Sequence, residues 1–303
     1  MTAEHDALRA RLGRVGVWTF TFDAVPAPEV RRAAAEIEAL GFPSLWVPEG
    51  GASREVFAHL SLLLDATDRI AVCSGIANVT ARHPHTMANG ARTLADAHGD
   101  RPVIGIGIAH QYTTASRGLD WADPIGRMRA YLDQMDDAPA TSPAPAVPAR
   151  RVLAALGPKM LALATERALG AHTYFVPVEH TRRARAAIGP ESVLAVEQTV
   201  VLHPDLDRGR SIARDWAMGY LDLPNYANNM RRLGYSEDEI GGRDGDRIVE
   251  EAVVWGNAET IAARVREHLD AGADHVCVQV ITGDDARAPM EELRELAEVL
   301  PLG

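Results

Sequence analysis

The chain has 303 residues, 47% of them hydrophobic, which is enough to bury one large core. Lysine and arginine total 31 against 42 aspartate and glutamate residues, so the formal net charge is −11. Because the chain is acidic and has no cluster of basic residues, we expect it to bind neither nucleic acid nor an anionic membrane. No apolar run approaches the roughly 18 residues of a membrane span, and the segment MTAEHDALRARLGRVG lacks the apolar centre of a signal peptide.

The two cysteines, Cys73 and Cys277, both fall in apolar runs that are predicted to be buried strands. They are therefore interpreted as small apolar residues of a protein in a reducing compartment, not as a disulfide framework. We therefore expect the protein to be located in the cytoplasm.

Short apolar runs alternate with longer helical patterns along the whole chain. Eight runs are predicted as strands, at Val15 to Thr19, Ser44 to Val47, Ile70 to Ile76, Val103 to Ile108, Val152 to Leu156, Thr173 to Val176, Val193 to Leu202 and His275 to Ile281. The helical patterns lie at Val30 to Leu40, Glu55 to Ala66, Pro84 to His98, Pro158 to Leu169 and Ala258 to Ala271, with Gly41, Gly170 and Gly272 interpreted as C-terminal caps. Uninterrupted apolar strands are typical of parallel sheets buried on both faces. The alternation predicts an α/β fold, a (β/α)8 TIM barrel with insertions at its C-terminal mouth, although an open parallel sheet has a similar pattern.

Two segments interrupt this alternation within what we expect to be a single domain, residues 1–303. Residues 137–150 are rich in proline and alanine and are predicted to be a surface loop. Residues 205–255 are too long for one strand–helix unit and are predicted to form a helical excursion near the active site.

Polar residues at the predicted strand ends are the candidates for catalysis, because barrel enzymes build their sites there. His110 follows the fourth strand and is a candidate acid or base, although a surface histidine at the start of a loop would have the same sequence. Glu49 follows the second strand and is either a proton acceptor or an N-terminal charge of the next helix. His83 and His85 are close in sequence, but no third ligand accompanies them, so no metal site is predicted.

The turn Gly157-Pro158-Lys159-Met160 after the fifth strand has the features of an anion site. Proline at the first helical position leaves the following amides free, and the helix dipole and the chain's single lysine add positive charge. This pattern favours a phosphate ligand, with an ordinary helix start and a solvated lysine as the alternative.

Aromatic residues and a histidine near the strand ends are the candidates for a substrate pocket. These residues are Trp18, Phe20, Tyr174, Phe175 and His180. The same residues could instead fill the top of the barrel.

Three blocks of sequence resemble the luciferase-like, coenzyme F420-dependent oxidoreductases. The blocks are DRIAVCSGIANVTARHPHTMANGARTLADAHGDRPVIGIGIAH, AALGPKMLALATERALGAHTYFVPVEHT and VWGNAETIAARVREHLDAGADHVCVQVI. The resemblance extends from about Arg14 to Ile281, which is nearly the whole chain. It implies a luciferase-like barrel that binds a deazaflavin, and flavin mononucleotide (FMN) monooxygenases share that barrel.

The resemblance also implies roles for individual residues. The Gly75–Ile76 bond matches the position of a non-proline cis peptide behind the deazaflavin. Ala77 and Asn78 would contact the ring, and Gly107 and His110 would lie against its other side. The turn of Gly157, Pro158, Lys159 and Met160 would hold the coenzyme phosphate, and two copies of the chain would form a homodimer.

One departure from the family narrows the range of expected substrates. Sugar-phosphate dehydrogenases of this kind carry an Asp-His pair after the second strand, where this chain has Pro48-Glu49-Gly50. A sugar phosphate is therefore not expected, and Glu49 could take the place of the missing base. The leading hypothesis is hydride transfer between coenzyme F420 and a small organic substrate, with a proton moved by His110 or Glu49. The alternatives are an FMN-dependent monooxygenase and a cofactor-free accessory or binding barrel.

Overall fold

The computed structural model describes residues 2–108, 110–119, 122–243, 245–284 and 286–302. Within them, the strands are β1 Val15–Trp18, β2 Ser44–Val47, β3 Ala71–Ser74, β4 Ala77–Asn78, β5 Pro102–Gly107, β6 Arg150–Ala154, β7 Gly170–Thr173, β8 Val193–Leu202, β9 Val253–Gly256 and β10 His275–Val280. The helices are α1 Thr2–Leu12, α2 Ala27–Ala39, α3 Val56–Leu64, α4 Pro84–His98, α5 Gln111–Ser116, α6 Pro124–Asp136, α7 Pro158–Arg167, α8 Val178–Ile188, α9 Leu206–Leu221, α10 Pro224–Leu233, α11 Glu237–Ile240, α12 Arg247–Ala252, α13 Ala258–Asp270 and α14 Met290–Ala297.

Eight parallel strands close into a barrel, which confirms the predicted fold. The order runs β10-β1-β2-β3-β5-β6-β7-β8, and β10 pairs with both β1 and β8. The register at the closure places Val278 opposite Val17 on one side and Gln198 on the other. The strands are buried on both faces because the barrel interior lies on one side and the helices on the other, which explains their uninterrupted apolar sequence.

Three strands differ from the prediction. Strand β4, at Ala77–Asn78, was not predicted and pairs with β5. The strand predicted at Thr173 to Val176 lies at Gly170–Thr173, because α7 ends at Arg167 and Gly170 is not a helix cap. A Cβ atom on Gly170 would lie 1.9 Å from the Val193 carbonyl oxygen, so only glycine allows this approach of β7 to β8. Strand β9 was not predicted; it lies at the end of residues 205–255 and pairs with the second half of β8.

The interior of the barrel is filled by a small cluster that includes both cysteines. Trp46, Cys73, Val103 and Cys277 are fully buried there, and both thiols are free. The larger core lies between the strands and the surrounding helices. The cysteines therefore pack as small apolar residues, as predicted.

Helices α9 to α12 form the helical excursion, which has its own apolar core. Their side chains pack with Phe175 and Ile281, which lie at the ends of β7 and β10, so the excursion is attached to the mouth of the barrel. Residues 138–149 form neither helix nor strand. In the described part of the chain, no helix combines the length and apolar character needed to cross a bilayer.

Candidate active site at the barrel mouth

A cavity of about 900 Å³ lies at the carboxyl ends of the strands, between the barrel and the excursion. Strand-end residues of its wall include Trp18, Phe20, Glu49, Gly75, Ile76, Asn78, His110, Leu156 and Tyr174. The excursion contributes Tyr220, Asn225, Tyr226, Asn228 and Arg232. The carboxyl ends of all the strands meet at one end of the barrel, so residues far apart in sequence share this cavity.

The Gly75–Ile76 peptide bond in the wall is cis, as predicted. Gly75 and Gly107 both allow close contacts at this bond. A Cβ atom on Gly75 would lie 2.4 Å from Trp18 Nε1, and one on Gly107 would lie 2.5 Å from Ile76 Cγ1. Gly107 therefore supports Ile76 from behind and is not part of the wall, and Ala77 is likewise fully buried, which corrects the predicted ring contacts of both.

Both carboxylate oxygens of Glu49 have hydrogen-bond partners in the protein. Its carboxylate accepts a hydrogen bond from the Asn78 amide at 2.7 Å and forms a two-bond ion pair with Arg82. The two side chains are only 5% and 7% exposed, and Arg82 also pairs with Glu55 at 2.7 Å. Both oxygens of this carboxylate are therefore occupied by protein groups. Its geometry suits positioning of Asn78 beside the cis peptide.

His110 is half-buried and faces the cavity. Its Nδ1 lies 3.2 Å from Asn225 Oδ1, and its ring lies 5.7 Å from that of Tyr226. Because an amide oxygen only accepts, Nδ1 carries the hydrogen and Nε2 is left as an acceptor. Burial lowers the pKa of His110, while the hydrogen bond to Asn225 opposes that shift. The ring is therefore neutral at pH 7 and can take up a proton at Nε2.

A second histidine in the wall, His172, was not predicted and has a different character. It is 2% exposed, stacks on Trp46 at a ring distance of 4.6 Å, and its Nδ1 lies 3.3 Å from the Ala195 carbonyl oxygen. Burial lowers its pKa to about 3. It therefore stays neutral throughout the physiological range and is a poorer proton acceptor than His110.

The opposite end of the cavity carries positive charge. Gly157 is the N-cap of α7, and as a glycine it has no side chain that could accept from the amides of the first turn. Lys159 lies in that turn. Arg232 reaches the same turn from α10, since a Cβ atom on Gly157 would lie 3.6 Å from its Nη2. Among the described residues, neither Lys159 nor Arg232 forms a salt bridge, and the side chain of Arg232 donates to Asn229 Oδ1 at 3.2 Å. A helix N-terminus with two cations beside it is a combination suited to an anion.

One detail of the predicted anion site changes. The Met160 amide donates to the Gly157 carbonyl oxygen at 3.1 Å, so it is not free to bind a phosphate. Met160 and Pro158 do line the cavity. The amide contact predicted for Met160 is therefore corrected, and Lys159 and Arg232 are the candidate anion contacts.

The aromatic candidates divide into two groups. Trp18, Phe20 and Tyr174 line the cavity, with Trp18 in ring contact with both of the others. Phe175 is fully buried and His180 is 3% exposed, with His180 Nε2 2.9 Å from the Leu156 carbonyl oxygen. Both lie behind the wall, which corrects their assignment to the substrate pocket.

His83 and His85 lie outside the cavity. His83 is the N-cap of α4, and its Nδ1 accepts a hydrogen bond from the His85 amide at 3.2 Å. This contact gives the pair a local structural role. No group of three or more potential ligands able to hold a metal ion is present among the residues that the structure describes.

Sequence reasoning missed the site residues that come from α10, above all Arg232, Asn225 and Tyr226. Arg232 follows another arginine, Arg231, on the same helix, and the two look alike in sequence. Arg231 pairs with Glu237 at the surface, while Arg232 points to Gly157. Only the packing of the excursion on the barrel distinguishes them, and the amphipathic pattern of α10 does not indicate which arginine reaches the mouth.

Two curated relatives differ in how much of the chain they match. The 5,10-methylenetetrahydromethanopterin reductase of Methanolobus tindarius is 28% identical over 110 residues, which is 35% of this chain and 34% of that protein. The chain thus matches about a third of the length of that relative. A Mycobacterium tuberculosis protein named "putative coenzyme F420-dependent oxidoreductase" is 24% identical, with 95% of this chain and 97% of that protein covered.

Solved structures share the fold. An F420-dependent secondary alcohol dehydrogenase, solved with an F420–acetone adduct, superposes with a TM-score of 0.76 at 16% identity, covering 95% of this chain and 98% of its own. The FMN-bound oxygenating component of 3,6-diketocamphane monooxygenase from Pseudomonas putida superposes with a TM-score of 0.68 at 16% identity, with 95% and 98% covered. At these identities the likeness concerns the fold.

The profile of one family matches most of the chain. It is that of the luciferase-like monooxygenases, and it aligns with residues 13–275. This confirms the resemblance identified from the sequence, and the closed parallel barrel agrees with it. The chain belongs to the luciferase-like monooxygenase family.

Proposed function

We propose that the protein is a coenzyme F420-dependent oxidoreductase that converts a small alcohol into a ketone. The observation that carries the proposal is the cavity itself. Its wall combines an anion site at Lys159 and Arg232 with a neutral histidine, His110, that can accept a proton. The names of the full-length relative and of the F420-dependent dehydrogenase support the same coenzyme.

The residues present fit a phosphate-bearing deazaflavin. Lys159, Arg232 and the first turn of α7 would hold the phosphate, since none of the described carboxylates neutralises either cation. Gly75, Ile76 and Asn78 would support the ring. When bound, the coenzyme supplies a two-electron acceptor for hydride. The apolar wall of the cavity would keep water from that hydride.

His110 would complete the conversion by taking up the proton. The substrate alcohol loses hydride from its carbon and a proton from its oxygen, and the proton passes to His110 Nε2. The neutral ring and the fixed Nδ1–H suit this role, whereas Glu49 is occupied by Arg82. Glu49 would act as a positioning residue that fixes Asn78.

Titration of the purified protein with F420 and, separately, with FMN tests the proposal through the fluorescence of each cofactor. We expect F420 to bind more tightly than FMN, and the K159A and R232Q variants to bind it more weakly. Binding of neither cofactor would contradict the proposal and favour a cofactor-free barrel.

An FMN-dependent monooxygenase is the second candidate, because an FMN-bound enzyme shares the fold and the same anion site would serve FMN. Preferential binding of FMN with oxygen uptake in the presence of reduced FMN would favour it. Oxygen uptake separates the two candidates, since the F420 reaction consumes none.

A homodimer and a cytoplasmic location remain predictions. The family resemblance implies the dimer, and the two free, buried thiols agree with a reducing compartment. Light scattering of the purified protein at several concentrations would test the dimer.

A further inference from the structure

Phe175, the second residue beyond β7, has a backbone conformation that few residues adopt. Its φ is 53°, in the left-handed region, where a Cβ atom crowds the backbone and glycine is favoured. A residue keeps such a conformation only where its surroundings hold it there, and Phe175 is fully buried. The cause therefore lies in the contacts that Phe175 makes inside the protein.

The turn at Phe175 brings two consecutive side chains to the same place. In an extended strand, neighbouring side chains point to opposite faces. Tyr174 and Phe175 instead pack on the same two rings of the excursion. The Tyr220 ring lies 5.3 Å from that of Tyr174 and 5.1 Å from that of Phe175. The Tyr226 ring lies 6.2 and 5.7 Å from the same two rings.

Tyr174, Tyr220 and Tyr226 all line the cavity, and we call them the tyrosine wall. Tyr174 belongs to the barrel, whereas the other two belong to α9 and α10. The hydroxyls of Tyr174 and Tyr220 lie 2.8 Å apart, which links the two parts. Phe175, packed behind all three rings, therefore determines how the excursion lies on this end of the barrel.

Glu197, inside the barrel, binds the backbone of Phe175. The ladder between β7 and β8 ends at the pair of Thr173 and Val196. Just beyond it, Glu197 Oε2 accepts a hydrogen bond from the Phe175 amide at 2.9 Å. Its Oε1 accepts from the Thr199 hydroxyl at 2.7 Å. The Glu197 side chain thus takes the place of a strand partner where β7 leaves the sheet.

The environment of Glu197 is unfavourable for a carboxylate. The side chain is fully buried, and both of these partners are neutral groups. Burial raises the pKa of Glu197 to about 7, and the hydrogen bonds from Thr199 and Phe175 oppose that shift. In either protonation state one oxygen remains to accept from Phe175. That contact is the one through which Glu197 reaches the cavity wall.

We propose that Glu197 is a positioning residue: its acceptor oxygen holds Phe175 in the left-handed conformation and thereby fixes the tyrosine wall around the substrate. Glu197 itself lies behind the wall, fully buried. Its effect on a substrate rests on the proposed function, whereas its control of the wall does not.

Fluorine NMR of protein labelled with 3-fluorotyrosine tests the proposal without any coenzyme. The chain has six tyrosines, so the spectrum contains six signals, which single tyrosine-to-phenylalanine variants assign. Three of the signals report on the tyrosine wall. Tyr131 on α6 reports on another part of the protein, since its hydroxyl donates to the Arg82 carbonyl oxygen at 2.9 Å.

Three variants separate the acceptor of Glu197 from its charge. E197M has a side chain of similar length without an acceptor, and we expect it to shift the three wall signals and to leave that of Tyr131 unchanged. E197Q also removes the charge but keeps an oxygen for the Phe175 amide, so its wall signals should stay close to those of the parent protein. T199V removes the other partner of Glu197 and is the matched control, which should leave the wall in place.

The Phe175 amide provides a second measurement, which does not depend on the folding of E197M. The chain has five phenylalanines, and labelling with ¹⁵N-phenylalanine gives five amide signals. A carboxylate accepts a stronger hydrogen bond than an amide oxygen does, so the Phe175 amide proton should move upfield in E197Q. An unchanged signal would overturn the bond between Glu197 and Phe175.

Kinetics with cyclohexanol and F420 test the consequence for a substrate. We expect E197M to raise KM about three- to tenfold, because a displaced wall fits the substrate less well. The Kd for F420 should stay the same, since Lys159 and Arg232 at the opposite end of the cavity are unchanged. E197Q should restore KM.

Wall signals that shift in E197Q or T199V as far as in E197M would overturn the proposal. An unchanged wall in E197M, or a Tyr131 signal that shifts with it, would do the same. The F420 titration separates these outcomes from failure of the proposed function. If F420 does not bind the parent protein, the wall signals still decide whether Glu197 positions the wall. If F420 binds and E197M leaves KM unchanged, the role of Glu197 toward the substrate is refuted and the oxidoreductase remains.

Discussion

Two arginines at the barrel mouth, Arg82 and Arg232, have opposite environments. Arg82 is 7% exposed and pairs with two carboxylates, Glu49 and Glu55. Arg232 lines the cavity, but within the described chain its side chain is bonded to an asparagine and to no carboxylate. A guanidinium satisfied by the protein shapes the wall, whereas one left without a counter-charge is available to an anionic ligand.

The same contrast extends to the other groups of the site. The carboxylate of Glu49 has partners on both oxygens, so it is structural in spite of its position at a strand end. Within the described residues, the His110 ring has a hydrogen-bond partner at one nitrogen only, and Arg232 has no carboxylate partner. Position at the mouth thus selects candidates, and hydrogen-bond satisfaction separates positioning residues from binding residues.

The largest effect is expected from breaking the satisfied pair. R82M leaves the buried Glu49 carboxylate without its counter-charge, and we expect the free energy of unfolding to fall by about 3–5 kcal/mol. Denaturant-induced unfolding of the variant and the parent protein measures this fall in the free energy of unfolding. The double variant E49Q/R82M should recover part of the loss, because no unpaired charge remains and the side-chain amide oxygen that E49Q introduces can still accept from the Asn78 amide.

The exposed pair Arg231–Glu237 is the control for that measurement. Its side chains are 42% and 65% exposed and screened by solvent, so R231M should lower the free energy of unfolding far less than R82M does. If R82M cost no more than R231M, the Glu49–Arg82 pair would not be the structural element described above.

Removal of the proposed proton acceptor should affect turnover and not stability. We expect H110Q to lower kcat about 10²- to 10⁴-fold with cyclohexanol and F420, since that is the usual contribution of a positioned base. The assay follows F420 absorbance, and thermal unfolding serves as the control. Turnover by H110Q at the rate of the parent protein would show that another group takes the proton.

Loss of Arg232, the arginine without a carboxylate partner among the described residues, should weaken the binding of F420. R232Q removes a charge that we propose to pair with the coenzyme phosphate, and we expect about 10- to 100-fold weaker F420 binding with unchanged stability. R231Q, next to it in sequence but paired with Glu237, is the matched control and should bind F420 like the parent protein. Equal effects of the two variants would indicate a general loss of positive charge and no specific contact.

How far the sequence predicts this site depends on which contacts are local. Most of the predicted strands and the turn at Gly157 lie in segments whose own pattern specifies them, and those predictions agree with the structure. The cis bond at Gly75 was implied by the family resemblance and is present. The role of Glu49 depends on Arg82, 33 residues away, and that of Gly157 depends on Arg232 in another element. Strand β9 was missed because its four residues, VVWG, directly follow α12 without a turn residue between them.

The smallest expected effect concerns His110 and its hydrogen-bond partner Asn225. The proposed role of His110 requires its neutral form, so kcat/KM should fall as the pH drops through the His110 pKa. Burial lowers that pKa and the hydrogen bond to Asn225 raises it, so N225A should move the acid limb to lower pH. N225D places a carboxylate in the same position, stabilises the imidazolium and should move the limb to higher pH. A merely structural role of Asn225 would lower activity in both variants without moving the limb in opposite directions, and the pH profile of kcat/KM therefore decides whether Asn225 acts through the protonation of His110.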